Sequence, residues 1–147
     1  MNDLSFEIKC SKDFYIKLKA EYEDYKRDTT SSRLAINFAM NAWHIIDWIY
    51  HEDDSSKLKL GDYQNDIKNK CLSLQIMHDV TNGSKHFKLN RHIPEISKTR
   101  HVGTFDSTFD STFDRSRLEI VMKDGTILDF EVEAKKVMDY WENKFST

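Results

Sequence analysis

The stretch SRLAINFAMNAWHIIDWIY, Ser32 to Tyr50, decides how the rest of the chain is arranged. At about 100° per helical residue, Leu34, Phe38, Ile45 and Ile49 cover one side, and Ile36, Ala39, Trp43, Ile46 and Tyr50 cover much of the opposite one. A helix that is apolar nearly all round needs neighbours on every side, so it is expected at the centre of a helical bundle. Thr29, Thr30, Ser31 and Ser32 offer alternative N-caps for it. Its uncharged run, Leu34 to Ile46, is too short to span a bilayer, and no membrane is expected as a partner.

On the N-terminal side, Phe14, Leu18, Tyr22 and Tyr25 recur at helical steps after a capping Ser11, which predicts an amphipathic helix over 12–27. His51 to Lys59 reads as a polar linker. A third helix is expected over 63–80, with Ile67, Cys71, Leu74 and His78 on one face, closed by Asn82-Gly83 as a left-handed cap. Beyond Pro94 the period changes. Arg117-Leu-Glu-Ile-Val-Met alternates, Asp124-Gly125 is a favoured two-residue turn, and Thr126 to Phe130 alternates again, which predicts an antiparallel hairpin over 116–130. A last helix over 132–145 carries Val137, Tyr140, Trp141 and Phe145 on its apolar face. The fold class expected is mainly α, an up-and-down bundle with an added antiparallel β-hairpin before the C-terminal helix.

Composition agrees. The chain has 147 residues, 39% hydrophobic and 32% charged, with one proline and four glycines, which favours a single domain of long uninterrupted elements. Cys10 and Cys71 have no paired spacing, so neither a disulfide framework nor a zinc site is expected, and MNDLSFEIKC has no secretory pattern; a reducing cytoplasm is the expected location. The repeat TFDSTFDSTFD, Thr104 to Asp114, reads as an extended arm. Phe105, Phe109 and Phe113 then share one side, and Asp106, Asp110 and Asp114 lie about 13 Å apart in succession, too far to share an ion.

Polar residues on the central helix are few enough to be informative. Asn37, Asn41 and His44 step along one stripe and Asp47 projects beside it; a satisfied interhelical network is the plainer reading, a site the sharper one. The stronger candidate is Asp79-Val-Thr-Asn-Gly-Ser-Lys-His86, where Asp79, Asn82, Lys85 and His86 are packed around a helix break at which side chains can converge with exposed backbone N–H groups on an anion. Net charge is −3, yet Ser84 to His101 carries Lys85, Lys88, Arg91, Lys98 and Arg100 against Glu95 alone, with His86, His92 and His101 among them. That segment reads either as a solvated loop or as a phosphate-binding edge, with Lys88 and Arg91 as its binding residues.

Thr81-Asn82-Gly-Ser-Lys-His86, preceded by long helices and followed by a basic turn, resembles a HEPN domain. The resemblance covers roughly residues 12–91. It implies a helical, usually dimeric module of the kind found as ribonucleases in toxin–antitoxin and phage-defence systems. Asn82 matches the polar residue after the family's motif arginine and His86 the motif histidine, whereas Thr81 occupies the arginine position. The same resemblance implies an intracellular module that forms a homodimer and binds RNA or a protein partner. A second reading is a metal-assisted hydrolase using His44, Asp47, Asp79 and His86; a third is a structural protein without a site. No cofactor-binding motif is present, and no cofactor is expected to bind.

Overall fold

The computed structural model describes residues 3–53, 57–89, 91–103 and 116–146. The predicted arm over 104–114 lies outside them. Among the described residues the order is α1 (Ser11–Arg27), α2 (Ser32–Glu52), α3 (Leu60–Lys70), α4 (Ser73–Lys85), β1 (Ile96–Val102), β2 (Arg117–Met122), β3 (Ile127–Asp129) and α5 (Phe130–Phe145). The protein is mainly α, a helical bundle with an antiparallel sheet inserted before its last helix.

As its sequence requires, α2 is the centre. Phe38, Ala39, Ala42, Ile45 and Ile46 are fully buried, and α1, α3, α4 and α5 all pack on this one helix. Contacts between α1 and α2 run in opposite directions: Phe14 meets Trp48, Lys17 donates to Asn41, and Tyr22 meets Phe38. The two helices are therefore antiparallel. Ser31 caps α2 by accepting from Leu34 N at 3.2 Å, and Asp13 caps α1 by accepting from Lys9 N and Cys10 N. Ser11 caps nothing itself; its backbone N–H and its hydroxyl both donate to Glu52 at the far end of α2.

Two elements differ from the sequence expectation. The predicted third helix is two helices, broken at Cys71-Leu72, although no glycine or proline stands there. The break is held from a distance: Ser73 Oγ donates to Glu133 Oε2 on α5 at 2.7 Å, both groups buried. After the break α4 runs through Asn82 and Gly83 to Lys85 rather than ending there. Among the described glycines only Gly125 has a positive φ, in the β2–β3 turn.

The hairpin is present, with Ile120 opposite Leu128, but it belongs to a sheet of order β1-β2-β3. The additional strand, β1, comes from the basic segment. It pairs antiparallel with β2, Arg100 opposite Glu119, with an irregular register between Ile96 and Lys98. Ser97 to His101 are exposed, so this edge strand lacks the alternation that would announce it, and its charges protect the open edge. Glu119 compensates them, accepting from Arg100 Nε and Arg117 Nε at 2.7 Å each, which holds its carboxyl below the usual range despite burial. The last helix begins at Phe130 because Asp129 Oδ1 accepts from Glu131 N at 3.0 Å.

Candidate functional site

Asp79 is the hub of the site. Its side chain is 2% exposed, and each carboxylate oxygen is used twice. Oδ1 accepts from Gln75 Nε2 at 2.9 Å and lies 2.6 Å from His92 Nε2. Oδ2 accepts from Glu95 N at 2.9 Å and Ile96 N at 3.2 Å. A helix residue thus receives the chain as it enters β1, and four donors offset the cost of burying the charge.

The partner of Asp79 is therefore His92 rather than His86 or His44. In the sequence His92 is one histidine among three in the basic segment, with no mark of a special role. Nothing in a thirteen-residue spacing links it to Asp79; the one local signal is Pro94, which forces extended chain just after His92.

Behind His92 the rings form a column. His92 and His78 lie 4.2 Å apart between centroids, and His78 stacks on Trp43 at 4.0 Å and 11°. Lys68 Nζ sits 5.0 Å from the Trp43 ring centre, its pKa lowered by burial against the opposing charges of Asp79 and Glu95. Asn82 Nδ2 lies 3.0 Å from His78 Nε2, while His78 Nδ1 is buried and has no hydrogen-bond partner among the described residues. Burial, then Lys68, then His92 push the His78 pKa down to about 3.

That shift has a measurable sign. Between about pH 6.5 and pH 3 the unfolded chain binds a proton at His78 that the folded chain refuses, so stability falls as pH drops through this window. The slope approaches about 1.4 kcal/mol per pH unit as an upper limit, reduced because the ring is only partly buried. Urea unfolding at pH 7 and pH 5 should show the wild type losing about 1–2 kcal/mol more than His78→Phe, which keeps a ring on Trp43 but cannot ionise. Equal losses would mean that His78 is protonated in the folded protein.

In front of His92 the chain opens into a cleft of about 370 Å³ lined by Asn82, His86, Lys88, Leu89, Arg91 and His92. Four of the residues singled out from the sequence, Asn82, His86, Lys88 and Arg91, come together here. Among the described residues no carboxylate lines it. Among the described residues Lys88 and Arg91 form no ion pair, so their charge faces solvent. The cleft is large enough for a group of nucleotide size.

The remaining candidates lie elsewhere. Asn41 is buried, accepts from Lys17 Nζ and donates to Asn37 O at 2.7 Å; these residues tie α1 to α2. His44 and Asp47 are exposed, and Asp47 lies 3.4 Å from His51 rather than bonding His44. The packing around His44 and the nearby Lys85 lower its pKa, with Asp47 opposing and Lys17 adding to the effect. Lys85, the last residue of α4, is exposed and is not part of the cleft lining. Among the described residues no three His, Cys, Asp or Glu side chains gather as a metal-ion shell. His44 and Asp47 are thus not drawn to the Asp79 carboxylate, whose oxygens already serve His92, Gln75 and two backbone amides.

No helix among the described residues is long and apolar enough to cross a membrane. Comparison with protein-family profiles, with curated proteins and with solved structures gives no match to this chain.

Proposed function

We propose that this chain is a HEPN-like RNA-binding protein that holds the phosphate backbone in the cleft beside His92. One observation carries the reading: Lys88, Arg91, His86 and His92 converge on a nucleotide-sized cleft that no acid among the described residues lines, in a chain whose net charge is negative. Lys88 and Arg91, two cations gathered against the overall charge of the protein, favour an anionic ligand. Arg91 offers a planar fork for phosphate oxygens and Lys88 a point charge, while Asn82 supplies a neutral amide beside them. Two free cysteines, Cys10 and Cys71, favour the cytoplasm as its location. The resemblance adds a homodimer and a role in toxin–antitoxin or phage-defence systems.

Fluorescence anisotropy with a labelled single-stranded RNA tests the reading. Lys88→Ala/Arg91→Ala is expected to weaken binding at least tenfold and to lower the salt slope by about 1.4, two phosphate contacts at about 0.7 each. Both side chains are exposed, so the variant should fold. Unchanged affinity and slope would remove the cleft as the binding site.

The Asp79–His92 pair favours a second reading, in which bound RNA is also cut. A carboxylate on one ring nitrogen orients the imidazole for proton transfer at the other. His92 would take the proton of a 2′-hydroxyl as its oxygen attacks the adjacent phosphorus. The bond to the 5′-oxygen then breaks, and His86 returns a proton to the departing oxygen. In the same assay, cleavage products that vanish in His92→Ala while affinity stays within about threefold would support this reading. Intact RNA with the wild type would leave binding alone.

A further inference from the structure

Phe87 stands between two residues of the cleft lining, His86 and Lys88, yet is itself outside the cleft and fully exposed at 102% of its reference area. Leaving a phenylalanine in water forgoes about 1.5–3 kcal/mol of burial. The other large exposed side chains on this segment, Leu89 and Ile93, are aliphatic, and Ile93 is 77% exposed. A flat apolar ring is thus set among two cations, Lys88 and Arg91, and two imidazoles, His86 and His92, after the end of α4.

The ligand that matches this pattern alternates flat apolar faces with negative charges. An apolar protein surface would cover Phe87 but would leave Lys88 and Arg91 desolvated beside it without compensation. A duplex offers the charges, but its base faces are stacked against one another. Of the two forms of nucleic acid, the single strand presents both. We infer that Phe87 is a stacking platform for an unpaired base of single-stranded nucleic acid whose neighbouring phosphates lie on Lys88 and Arg91, an inference that rests on the cleft being the phosphate site. The ring accepts any base, because every base has a π-face, so this element gives preference for single strands rather than for sequence.

The test titrates wild type, Phe87→Ala, Phe87→Leu, Phe87→Trp and the Lys88→Ala/Arg91→Ala variant with a labelled single-stranded RNA, its DNA counterpart and the same RNA as a duplex. Phe87→Ala and Phe87→Leu are expected to lose about tenfold in affinity for both single strands, and Phe87→Trp to retain it. Duplex binding should not change with any substitution at Phe87. Phe87→Leu separates ring stacking from general apolar contact.

If both Phe87→Ala and Phe87→Leu bind single strands as the wild type does, while the Lys88→Ala/Arg91→Ala variant fails, stacking is overturned and the phosphate site stands. If the double variant binds normally, the site and the stacking fall together. Phe87→Ala that converts a dimer to a monomer in sedimentation without altering affinity for single strands would assign the ring to a second copy and overturn the inference.

Discussion

Replacing Asp79 with alanine is expected to destabilise the fold by about 3–5 kcal/mol, because one buried carboxylate accepts four hydrogen bonds. The change strands the amides of Glu95 and Ile96 and removes the acceptor of Gln75 and His92. Each stranded donor that stays buried costs about 1–3 kcal/mol, and relaxation of the β1 entry recovers part of the sum. At about 2–4 °C per kcal/mol for a chain of this size, Tm should fall by roughly 6–20 °C. Asp79→Asn keeps a carbonyl for part of this set and should cost about half as much. Hydrogen exchange adds a local reading, since the Glu95 and Ile96 amides should lose protection first in Asp79→Asn. If Asp79→Ala unfolds at the wild-type temperature, the bridge from α4 to β1 does not hold the fold, and the orientation of His92 loses its basis.

Trp141→Ala is expected to cost as much by a different route. Trp141 is fully buried between α5 and α2, and its Nε1–H donates to Ala42 O at 3.1 Å. Truncation removes a large apolar surface and opens a cavity among packed helices; tryptophan-to-alanine changes of this kind cost about 3–5 kcal/mol. Trp141→Phe refills most of the space but gives up the hydrogen bond. That donor is removed along with its ring atoms, and Ala42 O keeps its place in the α2 ladder, so a loss of about 1–2 kcal/mol is expected. Guanidinium unfolding of the two variants separates packing from hydrogen bonding. A small loss in Trp141→Ala would mean that α5 docks independently of this ring.

The two substitutions also divide the fold by how it could be read. Trp141 was legible: it falls on the apolar stripe with Val137 and Tyr140, and a long helical period needs no knowledge of the partner. The same holds for α2, whose apolar residues on all sides fix it as the centre. Asp79 was legible only as an acid near a helix end. Its four donors come from one residue on its own helix and three beyond it in the chain, and no period connects them.

The same reason accounts for β1. Ser97 to His101 carry no alternation because both faces of this edge strand meet solvent, and the pairing is supplied by the backbone of β2. The α3–α4 break at Cys71 is likewise held by Ser73 and Glu133, sixty residues apart. At the site, clustering in sequence was enough to bring Asn82, His86, Lys88 and Arg91 to one cleft, since they lie within ten residues of each other. Asn37, Asn41, His44 and Asp47 share the neighbouring helix but not the cleft.

The sequence by itself determined α1, α2 and α5, the central place of α2, the β2–β3 hairpin and the basic character of the segment after α4. Each is a local or periodic property, written in residues close along the chain. Tertiary structure alone decided that Asp79 holds His92, that the basic segment turns into an edge strand, and that His78 is kept neutral between Trp43 and His92. Those depend on burial and on hydrogen bonds between residues remote in sequence, where the free energy of a polar side chain is set by its neighbours rather than by its own type.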